Sequence, residues 1–145
     1  MTLKLKILGI PQPKQSARFR IQKTVKKSFV RSYQKVEVIQ NERNIAFDVK
    51  SQLPTGFIPF NTALKVKVTF IFPPLKNWTK KKLDALEAGT KFYKTTKPDL
   101  TDNLMKGTMD AMNGIVFTDD AVIAKVESEK IFGTIPRIEI EFEKL

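Results

Sequence analysis

Three segments of this chain alternate apolar and charged side chains over most of their length, and this pattern constrains the fold more than any other feature. The alternation runs through residues 3–9, 63–72 and 136–143. Because successive side chains of a β-strand point to opposite faces, each segment is predicted to be a strand, and the first and third are predicted to have one buried and one wet face. Helices packed on a sheet would cover such apolar faces.

Residues 33–53 are predicted to form a helix that ends before Pro54. One stripe of this helix collects Val36, Ile39, Arg43, Phe47 and Lys50, and it is broadened by Val38, Ile45, Ala46 and Val49. The spacing of these residues is that of an amphipathic helix.

Two shorter helices are predicted over residues 79–89 and 102–113. Thr79 suits the N-cap of the first helix, and Gly89 suits its C′ position. The second helix is closed by the turn-forming pair Asn113–Gly114.

These elements predict one domain, over residues 1–145, of the mixed α/β (α+β) class. We expect a small mixed sheet of about four strands with about three helices packed on it. Residues 11–31 contain two prolines and little periodicity, so they are predicted to form a basic loop that ends in a short strand. Residues 121–131 and 136–143 are predicted to be strands joined by a turn around Gly133.

The basic residues are concentrated in the first two-thirds of the chain. Residues 1–97 hold 21 Lys or Arg against 5 acids, whereas residues 98–145 hold 5 against 10. Such an excess in one segment favours a polyanionic partner, above all nucleic acid, over a role in solubility alone. The residues predicted to contact DNA phosphates are Lys14, Arg18, Arg20, Lys76, Lys80, Lys81, Lys82 and Lys97.

The chain has neither histidine nor cysteine, which excludes several catalytic chemistries. Thiolate zinc sites, Ser–His and Cys–His nucleophiles and histidine metal ligands all need residues that are missing. Any metal ion must be held by oxygen atoms, which are the ligands of hard ions. Mg²⁺ is therefore the expected cofactor, with Mn²⁺ as a substitute.

Four aspartates stand out in the acidic part of the chain. Asp99 comes just before a predicted helix, Asp102 lies in its first turn, and the pair Asp119–Asp120 opens the following strand. A helix followed by a returning strand can bring this pair back beside Asp102, so three or more carboxylates are predicted to share one small volume. Lys106 lies one turn after Asp102 on the same face. Converging carboxylates repel one another unless a cation lies between them.

Each of these aspartates also has a common structural use. Asp99 and Thr101 are good N-cap residues, and Asp102 suits the positive end of a helix. Asp119 and Asp120 could form a turn. We favour the metal site because a protein that only binds DNA gains nothing from negative charge facing phosphates. An enzyme that places metal ions between its carboxylates and a phosphate does gain from it.

The stretch KPDLTDNLMKGTMDAMNGIVFTDDAVI, residues 97–123, resembles the signature of RusA-type Holliday-junction resolvases. The resemblance extends upstream to GIPQPKQSAR and FIFPPLKNWTKKKLDALEAGTKFYKTTKPD, and downstream to the region of Lys130 and to IPRIEIEF. It implies a RusA-like, Mg²⁺-dependent endodeoxyribonuclease that resolves four-way junctions by paired phosphodiester hydrolysis in recombination and repair. It also implies a homodimer of phage or prophage origin.

The residues to which the resemblance assigns metal binding and catalysis are Asp99, Asp102 and Asp120, with Lys106 in catalysis alone. Asp119 is the adjacent, supporting acid. The family pattern often has one residue between the first two aspartates, whereas Leu100 and Thr101 both intervene here. In the expected reaction the metal activates a water molecule, and the lysine orients the scissile phosphate.

Other interpretations of the sequence stay open. A non-catalytic basic DNA-binding phage protein, such as a regulator or recombination accessory, would share the basic residues but would not need Asp102, Lys106 and Asp120 together. A structural module that binds Ca²⁺ is less favoured, because no EF-hand loop is present. Trp78 and Phe92 could stack on bases at a branch point, although a packing role is the more common use of such rings.

The sequence also predicts where the protein works. Its N-terminal apolar stretch is too short for a secretory signal, and no run approaches the ~18 apolar residues that a membrane span needs. We expect a cytoplasmic protein that reaches the nucleoid through DNA and has no membrane partner.

Overall fold

The computed structural model describes residues 2–13, 18–23, 28–33 and 36–145. The strands are β1 (Thr2–Leu8), β2 (Arg18–Lys23), β3 (Ser28–Tyr33), β4 (Leu64–Phe72), β5 (Ile123–Phe132) and β6 (Arg137–Lys144). The helices are α1 (Val36–Gln52), α2 (Lys80–Glu87) and α3 (Lys106–Met112). A π-helical turn, Leu100–Met105, leads into α3, and a 3₁₀ turn, Asp120–Val122, leads into β5.

Four of the strands form one mixed sheet in the order β1-β6-β4-β5. β6 runs antiparallel to both of its neighbours, whereas β4 and β5 are parallel. The predicted fold class, a small mixed sheet with three helices, is confirmed.

The segment over residues 11–31 agrees with its prediction at its end, where β3 forms the expected short strand, but β2 lies where a loop was predicted. β2 and β3 pair with each other as an antiparallel ribbon, from Arg18 opposite Tyr33 to Lys23 opposite Ser28. Each strand finds its hydrogen-bond partner in the other, and such pairing leaves no signal in the periodicity of either strand alone.

The sheet buries one face under α1 and α3. The alternating residues Leu3, Leu5 and Ile7 of β1 point into this core beside the apolar residues of β4 and β6. α1 contacts both β1 and α3, and the Gln52 side chain pairs with the backbone of Lys6 on the sheet edge, at 2.9 Å and 2.7 Å. The opposite face of the sheet carries the charged residues, as the alternation predicted.

Only one side of α1 faces the core. Ile45 and Val49 are 4% and 0% exposed, whereas Val36 and Phe47 are 78% and 77% exposed. The single apolar stripe predicted for this helix is therefore wrong. Two sides of α1 carry apolar residues, and packing against β1 and α3 decides which side is buried.

β5 and β6 follow each other in the chain but flank β4 on opposite sides. The connection crosses the end of β4, where the Gly133 amide donates to the Phe72 carbonyl at 2.9 Å. A Cβ atom on Gly133 would lie 2.5 Å from Cγ2 of Ile71, so only glycine lets the chain pass this closely.

The ends of α2 agree with their prediction. The Thr79 hydroxyl accepts a hydrogen bond from the amide of Lys82 at 3.2 Å, as an N-cap should. Gly89 has a φ of 101°, the left-handed conformation expected just after a helix. Among the residues that the structure describes, no helix combines the length and apolar character needed to cross a membrane.

Candidate active site

The segment that carries Asp99 is anchored along the outer edge of β5. Phe92 accepts a hydrogen bond from the Phe132 amide, and the Lys94 amide donates to the Lys130 carbonyl, each at 3.0 Å. The chain then passes through the cis Lys97–Pro98 peptide bond and enters the π-helical turn. This turn contacts β5, so the sheet fixes the position of the backbone at Asp99, the first predicted metal ligand.

The first two predicted ligands lie at the start of a π-helical turn, with Asp99 directly before it as the N-cap residue and Asp102 inside it. Its opening hydrogen bond joins the Leu104 amide to the Asp99 carbonyl at 3.1 Å, five residues apart. Such a turn holds one residue more than an α-helical turn, and it occurs frequently at functional sites. The two residues between Asp99 and Asp102 therefore lie in an unusually wide turn.

Asp99 is half-buried, and its Oδ2 lies 3.0 Å from Nζ of Lys97. The lysine side chain is 84% exposed, so this ion pair is worth no more than about 1 kcal/mol. Lys97 can therefore leave Asp99 for a phosphate group at little cost.

Asp102 and Lys106 are both exposed, and they lie one turn apart. No ion pair joins them, and neither side chain bonds to another residue in the described ranges. Their charged groups are thus accessible to a ligand from solvent.

The pair Asp119–Asp120 lies between a buried turn and β5. The Thr118 amide donates to the Phe60 carbonyl at 2.9 Å, and the fully buried Phe117 anchors the turn after α3. Both aspartates are exposed at the 3₁₀ turn that follows. Their position and exposure would allow a metal ion to reach these carboxylates from solvent.

The predicted gathering of three or more carboxylates is not present in the structure. No three acidic side chains in the described ranges lie close enough together to hold a metal ion. Asp99 is engaged with Lys97, while Asp102 and Asp120 lie on separate turns. The assignment of these aspartates as metal ligands stays a prediction. In this geometry each metal ion would be held by fewer than three of the carboxylates.

Local capping does not explain these aspartates. Asp99 and Asp119 occupy N-cap positions in the backbone, yet neither side chain makes a capping hydrogen bond. Within the part of the chain that the structure describes, no hydrogen bond or ion pair engages the carboxylates of Asp102, Asp119 and Asp120. Exposed, oxygen-only donors of this kind suit Mg²⁺, which commonly takes one or two carboxylates and fills its octahedron with water and phosphate oxygen.

Comparison with known proteins decides the family. The family model described as endodeoxyribonuclease RusA matches residues 10–143. The chain belongs to the RusA family. A crossover junction endodeoxyribonuclease rusA of Lactococcus phage r1t is 32% identical over 106 residues, 68% of this chain and 71% of that protein. The uncharacterized protein YqaN of Bacillus subtilis (strain 168) is 31% identical over 96 residues, 66% of each chain.

The predicted DNA-contacting residues of this RusA-family chain are only partly described. Lys14 lies outside the described residues, as do the side chains of Arg18 and Arg20, whose backbones belong to β2. The remaining members are all exposed: Lys76, Lys80, Lys81, Lys82 and Lys97. Three of these begin α2, so that helix presents a concentrated positive charge.

Trp78 and Phe92 form a packed aromatic cluster, not an open stacking platform. Their ring centroids are 5.2 Å apart, and Trp78 lies 4.9 Å from the ring of Phe132. The ammonium of Lys82 sits 4.0 Å from the Trp78 ring. The cluster thus ties α2 to β5 and favours the packing role of these rings.

Lys130 is a residue of this region whose role the sequence did not suggest. Its ammonium donates to the carbonyl oxygens of Thr96 at 2.7 Å and Pro98 at 2.8 Å. Burial lowers the pKa of Lys130, and the neighbouring Lys94 lowers it further, whereas Asp99 opposes the shift. A lysine within a strand carries no sequence signal for such contacts, because they depend on a loop more than thirty residues earlier.

Proposed function

We propose that this chain is a divalent-metal-dependent endonuclease that cuts four-way DNA junctions. The observation that carries the proposal is the RusA family match, which runs over residues 10–143 and so includes every predicted site residue. The similarity to a phage protein named as a crossover junction endodeoxyribonuclease supports the junction as substrate.

The donor set supports Mg²⁺ as cofactor and Mn²⁺ as its substitute. Asp102 and Asp120 are exposed carboxylates without partners in the described ranges, and the Asp99 carboxylate pairs with the exposed Lys97. When bound, the ion would activate a water molecule and offset charge on the scissile phosphate. Asp99, Asp102 and Asp120, with Asp119 as a supporting acid, would supply the carboxylates for one or two such ions, with one or two carboxylates on each ion.

Two lysines close to these acids would act on the phosphate directly. Lys106 is exposed one turn after Asp102, where it can donate to a phosphate oxygen and stabilise the charge that develops there. Lys97 can exchange its weak contact with Asp99 for the backbone of the cleaved strand. The exposed lysines that begin α2 would hold the DNA without reading its sequence.

Resolution of a junction requires two cuts in opposed strands, whereas one chain offers one set of these acids. We therefore infer that two copies act together as a homodimer, in recombination and repair of DNA in the cytoplasm of a phage-infected or prophage-bearing cell. Sedimentation equilibrium of the protein with and without junction DNA measures the copy number. A single copy on each junction at saturation would contradict the dimer.

The test is a cleavage assay with a synthetic four-way junction and a linear duplex of the same sequence. We expect Mg²⁺-dependent cuts in the junction and far fewer in the duplex. Asp102→Asn and Asp120→Asn should abolish cleavage while junction binding stays equal or becomes tighter, because each change removes negative charge that faces phosphate. Asp84→Asn, at an exposed position on α2, is the matched control and should cut normally.

The result also separates the alternative function. A non-catalytic DNA-binding protein would bind the junction with the same salt sensitivity but would leave it intact in Mg²⁺. Normal cleavage by both the Asp102→Asn and Asp120→Asn proteins would instead show that the nuclease uses other residues.

A further inference from the structure

Lys130 fastens the segment before Asp99 to β5 at three points. Its Nζ donates to the carbonyl oxygens of Thr96 and Pro98, at 2.7 Å and 2.8 Å. Its own carbonyl accepts from the Lys94 amide at 3.0 Å. One residue of the sheet therefore fixes the chain up to the position directly before the first predicted ligand.

The backbone of Asp99 is held from the other side as well. Its carbonyl accepts the first hydrogen bond of the π-helical turn, from Leu104, which is fully buried. With Pro98 bonded to Lys130 and Asp99 bonded to Leu104, the Asp99 backbone is anchored on both sides. Its carboxylate thus projects from a fixed base.

These contacts distinguish Lys130 from the lysines proposed to hold DNA. An ammonium group has three donors, and two of those on Lys130 are already engaged with backbone carbonyls. The side chain is half-buried, in contrast to the exposed Lys97 and the lysines of α2. A phosphate contact would require Lys130 to give up part of this network.

We propose that Lys130 is a positioning residue, which presents the Asp99 carboxylate for metal binding and phosphate cleavage through the backbone of Thr96–Pro98. The proposal rests on the proposed function. Its physical basis is geometric, since a misplacement of about 1 Å in a catalytic site costs roughly 10²-fold in rate.

Three variants test it. Lys130→Met keeps the aliphatic stem and removes the donors, Lys130→Arg restores donors, and Lys125→Met removes a lysine from an exposed position on the same strand. We expect Lys130→Met to lower kcat on the four-way junction by about 10²-fold, while the Kd for the junction, measured in EDTA, stays close to that of wild type. Lys130→Arg should recover most of the kcat, and Lys125→Met should match wild type.

Two further measurements do not depend on activity. Hydrogen–deuterium exchange should be at least about tenfold faster at the amides of Lys94 and Leu104 in Lys130→Met, with the amides of β4 unchanged. The Kd for Mn²⁺ alone, measured by calorimetry, should be higher for Lys130→Met and Asp99→Asn than for wild type. The Kd of Lys125→Met should equal that of wild type.

The outcomes separate the two proposals. Unchanged exchange and unchanged Mn²⁺ affinity in Lys130→Met would overturn the positioning role, as would a loss of junction affinity in proportion to the loss of kcat. If wild type cuts no DNA but exchange and Mn²⁺ affinity respond as expected, the nuclease proposal fails and the role of Lys130 in presenting Asp99 stands.

Discussion

Replacement of Gly133 by alanine tests the close crossing of the chain over the end of β4. The new Cβ would lie 2.5 Å from Cγ2 of Ile71, whereas carbon atoms in contact are normally about 3.5–4.0 Å apart. Something must therefore move by about 1 Å. The φ of Gly133 is not positive, so the backbone conformation itself does not penalise alanine.

Ile71 has little freedom to move. It is 3% exposed, its Cγ2 is attached directly to the β-carbon, and its backbone is paired with β5 on one side and with β6 on the other. Overpacking of this kind costs about 1–3 kcal/mol of unfolding free energy. With a urea m-value of about 1–3 kcal/mol/M, a loss of 2 kcal/mol moves the midpoint of unfolding by roughly 1 M.

A double-mutant cycle isolates the contact. Ile71→Ala removes Cγ2 and itself costs about 2–5 kcal/mol, but Gly133→Ala should then cost nothing further, or add about 0.4–1 kcal/mol of stability. The expected coupling is about 1–3 kcal/mol. Gly9→Ala is the control: its φ of 111° makes it costly, yet no atom lies within 4 Å of the added Cβ, so its cost should be the same in both backgrounds. Equal costs of Gly133→Ala with and without Ile71 would refute the steric explanation.

Two further changes test the helices around the candidate site. Thr79→Ala removes the hydroxyl that caps α2, so urea unfolding should show a loss of about 1 kcal/mol in the free energy of unfolding. Thr79→Ser keeps the hydroxyl and should retain most of that stability. An equal loss in both variants would contradict the capping role. Lys106→Met should lower kcat on the four-way junction by roughly 10²-fold, because it removes a donor to the scissile phosphate. The urea midpoint should change little, because the side chain is exposed and makes no bond within the described ranges. A variant that cuts like wild type would show that Lys106 is not part of the site.

The sequence was informative wherever local periodicity determines the structure. The alternation identified β1, β4 and β6 as strands, and in β1 and β6 it also identified the buried face, since side-chain direction in a strand depends only on position along it. Thr79 and Gly89 marked the ends of α2, because caps act within one turn. The motif over residues 97–123 by itself indicated the RusA family.

Tertiary structure decided the features that depend on contacts between distant segments. The strand order, the pairing of β2 with β3 and the buried side of α1 all arise from such contacts. The same holds at the candidate site: Lys130 reaches Thr96 and Pro98 across the chain, and the acidic side chains do not form the group of three that their spacing suggested. Local spacing determines which way a residue points within its own helix or strand. The energies of packing and strand pairing determine which distant residues it contacts.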